Sequence, residues 1–469
     1  MQHFDLAVIG SGTGNSLIDE RFADWDVALI ERDETFGGTC LNRGCIPTKM
    51  FVLPADLAAS VAEARRLGVQ LEFKGADWPA IRDRIFGRID PISAGGLDWR
   101  ERSQNVTVFH GEASFVDAST LQVGDTRISA SNIVIATGSR PRTLDVPGLA
   151  EASDRVHTSD TIMRIDELPR RLVIVGGGYI AAEFAHIFSG LGSEVTLINR
   201  TDVLLRHHDR DIAQAYLQEL SHGPVNVRLN QELSSVEKSD DDSLVVITKD
   251  RNGIEYEYFA DQLLIAVGRD RNSDALNLRA AGVDHNPDGQ IRVDAQQRTN
   301  VKGIWALGDV SSDHLLKHVA NAEGRTVQHN LLHPDDLRGT DHRFVPQAVF
   351  GDPQIASVGV TEQELRNWGA PYIVARQRYA DVAYGWALED EEHFVKLLAD
   401  PRSMHLVGAH IIGPQASTLI QPLIQAMSFG QRVDELARGQ YWIHPALPEV
   451  IENALLKLVL ARKPGEIGQ

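Results

Sequence analysis

The chain's two cysteines, Cys40 and Cys45, lie in the stretch 37–49, "GGTCLNRGCIPTK", with four residues between them. A pair this close and this solitary suits one of two chemistries, thiol–disulfide exchange or metal binding. Zinc would need two further ligands. No second cysteine pair or nearby histidine cluster supplies them, and His207 and His208 are distant in sequence and flanked by charged residues, so no metal is expected. In a regular helix, residues five apart have Cα atoms roughly 8 to 9 Å from each other, whereas a disulfide needs about 4.4 to 6.8 Å. If the two are bonded, the turn between them is not regular helix, and Gly44 is the residue that permits the distortion. So small a closed loop adds little stability, which leaves exchange as its use.

Exchange also needs a group that handles the proton of the departing thiolate. Of 17 histidines, His444 is singled out by "YWIHPALPEVIENALL". Pro445 fixes the chain after it, and Glu449 opens a helix five residues on. A carboxylate on one ring nitrogen fixes the tautomer and supports the imidazolium, freeing the other nitrogen to shuttle a proton. Taken alone, the segment fits a structural histidine as well; the cysteine pair tips the reading toward catalysis.

The elements that must position these groups begin at once. "FDLAVIGSGTGNSLIDERFADWDVALIERD" reads as an apolar strand, a glycine-rich turn, a helix-like stretch and a second strand ending in Glu31. Gly10, Gly12 and Gly14 let the backbone bend and approach a pyrophosphate. The fingerprint's third position holds Asn15 instead of Gly or Ala, which loosens the expected helix–strand packing. Glu31 is placed to accept from ribose hydroxyls. A glycine turn without a ligand is the plain alternative. It is weakened by "NIVIATGSRPR" at 132 and "GIWALGDVS" at 303, buried strands running into small turns, the second adding Asp309.

A second copy of the plan starts at 172, "LVIVGGGYIAAEFAHIFSGLGSEVTLINR", with Gly176, Gly178 and Ala181 in the fingerprint. Where the first copy has Glu31 this one has Asn199, followed by Arg200 and Arg206. Losing the acid and gaining guanidiniums suits a 2′-phosphate, so NADPH is expected, although such arginines can also be merely solvated. Glu183, a lone acid on an apolar stretch, wants a cation, for which Lys49 is a candidate and a surface salt bridge the alternative.

Polar, alternating segments such as "VTVFHGEASF" and "SLVVITKDRNGIEYEYFADQLLIAVG" read as antiparallel strands. From about 341 there is no further glycine-rich turn. A capped helix at Thr361 to Glu364, a strand hairpin at 393–413 and apolar helices at 417–430 and 448–461 compose an α+β module with an interaction surface. The expected fold class is α/β: two doubly wound, Rossmann-like dinucleotide-binding domains plus a C-terminal α+β dimerisation domain. The net charge of −19, dispersed along the chain, argues against nucleic acid. No secretory signal is evident at the start and no apolar run approaches the roughly 20 residues of a membrane span, so a cytoplasmic protein is expected.

With these motifs in place, the chain resembles the pyridine nucleotide-disulfide reductases over essentially its whole length, "GGTCLNRGCIPTK" being the most specific element. The resemblance implies FAD and NADPH as cofactors, with FAD-binding segments at 1–155 and 273–340, an NADPH domain at 156–272 and a dimerisation domain at 341–469. It makes Cys40 the interchange thiol and Cys45 the flavin-facing one, with Lys49 and Glu183 near the flavin; Thr48 stands where some relatives carry that lysine. Thr39, Thr137, Gly138 and Gly268 join the cofactor contacts, and Tyr179 covers the nicotinamide pocket. His444 and Glu449 would complete the partner subunit's site, so a homodimer is implied. Ala446 and Pro448 replace a threonine and a serine common in relatives. Where glutathione-reducing relatives hold a substrate carboxylate with arginine on the first helix, this chain has Asp19 and Glu20. An acidic helix there favours mycothiol disulfide, with its sugar hydroxyls, over glutathione disulfide; a dihydrolipoamide dehydrogenase or a glutathione reductase-like enzyme is the alternative.

Overall fold

The computed structural model describes residues 1–239 and 243–461. Its first sheet has seven strands, in the order Val106–His110, Val27–Glu31, Gln2–Ile9, Thr126–Ile135, Thr120–Val123 and Ala113–Phe115, with Ile304–Ala306 added on Thr126–Ile135. The central pairings are parallel, and the strands read as continuous apolar runs because both faces are covered. Leu6, Ala7, Val8 and Val27 to Leu29 are fully buried. The second sheet is parallel throughout, in the order Val225–Leu229, Glu194–Asn199, Arg171–Val175, Gln262–Ile265 and Val156–His157. A three-stranded antiparallel excursion, Gln231–Lys238, Leu244–Asp250 and Glu255–Ala260, precedes its last long strand. Arg269–Arg271 then pairs with Ser139–Pro141 and leads the chain back toward the first sheet.

The C-terminal module is a five-stranded antiparallel sheet, Pro346–Val349, Ile355–Gly359, Leu406–Ile412, Phe394–Ala399 and Ile373–Arg378. Helix Pro448–Ala461 lies on it through Val450, Ile451, Ala454, Leu455 and Leu458, the stripe a 3.6-residue period produces. The helix Glu362–Trp368 carries the expected capping box between Thr361 and Glu364.

Three expectations are corrected. The stretch after the first glycine turn is not an α-helix but two short 3₁₀ turns, Gly14–Leu17 and Glu20–Phe22. Buried Arg100, on helix Trp78–Arg102, is the physical reason. Its Nε donates to Asn15 Oδ1 at 2.5 Å and its Nη2 to the carbonyls of Asn15 and Ile18, both at 2.7 Å, taking acceptors an α-helix would use itself. Asp19 then caps a new turn, and its carboxylate is gripped by Arg21 and Gln328. The charge counted as repelling an acidic substrate is therefore matched by Arg21. In "VTVFHGEASF" the first half is a parallel strand beside Val27–Glu31 and only the second half is antiparallel, and the last strand of the later stretch read as antiparallel, Gln262–Ile265, is likewise parallel, beside Arg171–Val175. Finally, the helical stretch Gly38–Arg66 is long and apolar enough to cross a membrane by length and composition alone. It is broken at Arg43 and Gly44, and its Lys49 is ion-paired to the neighbouring helix Tyr179–Gly190.

Candidate active site

The cysteines sit on either side of that break. Gly38–Asn42 is one short helix, and Cys45 is the first residue of the 22-residue helix Cys45–Arg66. A Cβ at Gly44 would lie 3.0 Å from the Thr39 carbonyl oxygen and 3.2 Å from its methyl group, so a side chain there would force the two segments apart. The fold-back brings the two sulfurs together, with the Cys40 thiol hydrogen-bonded to Cys45. That hydrogen bond first, then Lys49 and the backbone N–H, bring Cys45 down to about 7 against the opposing effect of burial, as expected of a thiolate at a helix start. The same bond and burial push Cys40 up. The negative charge of the reduced pair therefore rests on Cys45, and Cys40 holds the proton.

Both cysteines front a cavity of about 320 Å³. Its wall also holds Lys49, whose Nζ donates to Glu183 Oε2 at 2.6 Å. The other carboxylate oxygen of buried Glu183 accepts from the Phe350 backbone N–H at 3.0 Å, and Lys49 lies 4.8 Å from the Phe350 ring centroid. One acid thus ties the cysteine helix, the second nucleotide domain and the C-terminal module together.

Gly10, Gly12, Glu31, Thr39, Thr137, Gly138, Tyr179 and Asp309 line the same cavity. Gly10 has φ +107°, and a Cβ on it would meet the Ala136 carbonyl oxygen at 2.4 Å. Gly14 packs behind the turn, where a Cβ would strike Val8 at 2.7 Å. The Glu31 carboxylate is aimed by Ser11 N and Oγ, at 2.8 and 2.5 Å, and by Asp33 N at 2.9 Å. Ser139 Oγ donates to Asp309 at 2.5 Å while Arg269 donates to Ser139. Thr137 and Asn272 exchange two hydrogen bonds. A side-chain-free turn beside an oriented carboxylate, with a second acid across the cavity, fits a dinucleotide extended from the Glu31 end toward the cysteines.

The second cradle lies on the other sheet. Gly176, at φ +145°, leaves no room for a Cβ beside the Ala266 carbonyl oxygen, Gly178 is open, and Ala181 is buried inside helix Tyr179–Gly190. The Asn199 side chain packs against Gly177 of the glycine turn, and its Nδ2 donates to Thr201 and Val203, shaping the loop that carries Arg200 and Arg206. Both arginines are exposed, and neither pairs with an acid among the described residues. Gly268, at φ +126°, forms the turn back to the first sheet and does not line the cavity.

His444 and Glu449 are the pair the chain does not bring to its own cysteines. His444 Nδ1 meets Glu449 Oε1 at 2.6 Å, and Ala446 N donates to the other carboxylate oxygen at 3.3 Å. The imidazole is 70% exposed, and neither residue lines the cysteine cavity. Tyr441, Ile443 and Phe429, all exposed, extend the apolar surface of the same module. Sequence reasoning missed Lys317, a cavity residue whose Nζ donates to Thr13 Oγ1 at 2.8 Å. Nothing in "HLLKHVANAEGR" marks it, since the segment reads as an ordinary helix start.

A dithiol set in a cavity, with a dinucleotide cradle on each of two sheets, defines a dinucleotide-linked thiol–disulfide oxidoreductase. The chain belongs to the pyridine nucleotide-disulphide oxidoreductase family, whose main domain matches residues 4–325 and whose dimerisation domain matches 345–455. It is 49% identical over 468 residues to mycothione reductase of Mycobacterium tuberculosis, covering 98% of this chain and 100% of that protein. It is 33% identical to dihydrolipoyl dehydrogenase of Haloferax volcanii, covering 96% of each. Among solved structures, the HOCl-induced flavoprotein disulfide reductase RclA of Escherichia coli superposes with a TM-score of 0.84 at 28% identity, over 96% of this chain and 99% of that one. The protein is an FAD- and pyridine nucleotide-dependent disulfide reductase that works as a homodimer.

Proposed function

We propose that the protein reduces mycothione, the disulfide of mycothiol, to two mycothiol molecules with NADPH as the electron source. The observation carrying the reaction class is the hydrogen-bonded thiol pair at the Gly44 break, fronting the cavity that holds Lys49. The substrate rests on the whole-length similarity to the mycobacterial protein. NADPH rests on Arg200 and Arg206, exposed on the loop that Asn199 shapes.

Gly10, Gly12, Glu31, Thr39, Thr137, Gly138 and Asp309 would hold FAD, and Gly176, Gly178, Tyr179 and Ala181 with the two arginines would hold NADPH. The electron pair that regenerates the dithiol from its disulfide is the chemistry these cofactors supply when bound. The remaining steps belong to the chain. Cys40 gives its proton to the partner subunit's His444 and attacks one sulfur of the substrate. The substrate S–S bond breaks, a Cys40 mixed disulfide forms, and the first mycothiol leaves with the proton that the imidazolium returns. The Cys45 thiolate then attacks the Cys40 sulfur, closing the Cys40–Cys45 disulfide and expelling the second mycothiol as a thiolate, which takes its proton from solvent. Glu449 holds the imidazole's other nitrogen throughout. We assign this chemistry to the cytoplasm, where thiols are kept reduced.

The test is NADPH oxidation with mycothione, glutathione disulfide and lipoamide, each repeated with NADH. Preference for mycothione and NADPH supports the reading; preference for lipoamide with NADH makes the protein a dihydrolipoamide dehydrogenase.

A further inference from the structure

Helix Trp78–Arg102 reaches both halves of the site from behind. Buried Ser93 donates through Oγ to the Phe36 carbonyl at 2.6 Å, and Asn42 of the short cysteine helix Gly38–Asn42 donates to the same carbonyl at 2.9 Å. Seven residues on, and so on the same helix face, Arg100 is 4% exposed and grips the segment behind the first glycine turn through Asn15 Oδ1 and the carbonyls of Asn15 and Ile18. Its guanidinium carbon lies 4.1 Å from the Trp99 ring centroid, a stacking that holds the fork in place. The two halves also meet directly, since a Cβ on Gly38 would fall 2.6 Å from Gly12 Cα. The placement of the glycine turn is thereby coupled to that of the helix carrying Cys40.

In the usual βαβ plan the turn is anchored by the α-helix that follows it, packed close to the strand through a small third fingerprint residue. Here only the four-residue 3₁₀ turn Gly14–Leu17 follows, and Asn15 stands at that third position. Three hydrogen bonds from one charged, buried group take the place of the missing helix, and bonds of this kind are stronger than neutral ones. We propose that Arg100 is the anchor of this turn: paired with Asn15, it is the positioning residue that holds Gly10 to Thr13 in the shape that receives the FAD pyrophosphate. Neither Arg100 nor Asn15 lines the cavity, whereas Gly10, Ser11, Gly12 and Thr13 do, so their effect on FAD is one of placement and not of contact. The departure from the fingerprint at Asn15 is then a requirement of the anchor, because alanine has no acceptor and would leave Arg100 Nε unpaired in a buried place.

The inference rests on the placement of FAD at the first glycine turn, and it is tested on the holoenzyme by the flavin fluorescence recovered on dilution, which gives the FAD dissociation constant without turnover. Asn15→Ala installs a residue the fingerprint favours and removes only the Oδ1 acceptor. It should raise the FAD dissociation constant about tenfold, near what one hydrogen bond to a charged group is worth, while the KM for NADPH at saturating FAD keeps the parent's value. FAD held as tightly as in the parent overturns the proposal, and so does an equal rise in both constants, the sign of a general loss of structure. Arg100→Met should weaken FAD at least as much, and adding Asn15→Ala to it should change nothing further; two losses that multiply would show that the residues do not act as one anchor. Should Arg100→Met fail to fold, Asn15→Ala decides alone. Glu31→Ala separates the inference from its premise: unchanged FAD affinity there overturns the placement of FAD and the anchor with it, whereas a loss there with tolerance at Asn15 overturns the anchor only.

Discussion

Replacing Cys40 by Ala isolates the largest influence on Cys45. The hydrogen bond from Cys40 is the chief reason Cys45 lies at about 7 and not at 9.0, with Lys49 and the backbone N–H contributing less and burial opposing all three. At about 7, roughly half of Cys45 is thiolate at neutral pH; at 9.0 the fraction is about 1%. Without Cys40, burial and the weaker attractions remain, so the midpoint should climb from about 7 toward the ordinary 9.0. The variant leaves Cys45 as the chain's only thiol, and iodoacetamide alkylation across pH 5 to 10 reads it directly. The midpoint is the quantity to follow, because a more basic thiolate is also more nucleophilic and the rate at a single pH understates the shift. A midpoint that stays near 7 in the folded, flavin-loaded variant would refute the assignment of the Cys45 charge to its neighbour.

Two further outcomes are expected. Lys396, 2% exposed, is bonded to Asp209 at 2.8 Å, Asp211 at 2.9 Å and Glu362 at 2.6 Å, joining the second nucleotide domain to the C-terminal module. Lys396→Met should cost roughly 3 to 5 kcal/mol at pH 7 by leaving the carboxylates unpaired. Asp209 and Glu362 are both held below their ordinary values of 3.8 and 4.5. The parent therefore has the full benefit above those values and loses it as pH falls below them, so the deficit between parent and variant should shrink below pH 4. Unfolding midpoints at about pH 7 and about pH 3 check this, an equal deficit at both counting against it. Arg200→Ala or Arg206→Ala alone should each raise the KM for NADPH by about ten- to a hundredfold, one charge-assisted contact to a 2′-phosphate being worth about 1.5 to 3 kcal/mol, and leave the KM for NADH nearly unchanged.

What the sequence makes legible follows from the range of each interaction. The glycine turns, the buried strands after them and the capping box at Thr361 are local, and each is present. The Lys49–Glu183 contact, inferred from a lone acid on an apolar helix, spans 134 positions, yet the chemistry of both ends advertises it. The first crossover was misread because Arg100 lies 85 residues from Asn15 and nothing near Asn15 announces that its carbonyl is taken. The same distance effect disguised Val106–His110, whose parallel partner Val27–Glu31 lies 79 positions back in the chain. The repulsion argument built on Asp19 counted a charge without its partner, Arg21, two residues away. Lys317 was invisible because a lysine at a helix start is usually solvated; only the fold turns it inward.

The central claim is that one subunit's thiols work with the other's His444 and Glu449, because the chain keeps that pair outside its own cysteine cavity. Co-expression of Cys40→Ser and His444→Gln chains tests it most directly. Each homodimer alone should be nearly inactive, and random pairing under two-fold symmetry gives half heterodimers, each with one intact site, so about a quarter of the parent's turnover should return. Activity no higher than that of the two variants measured separately would contradict a site shared across the dimer.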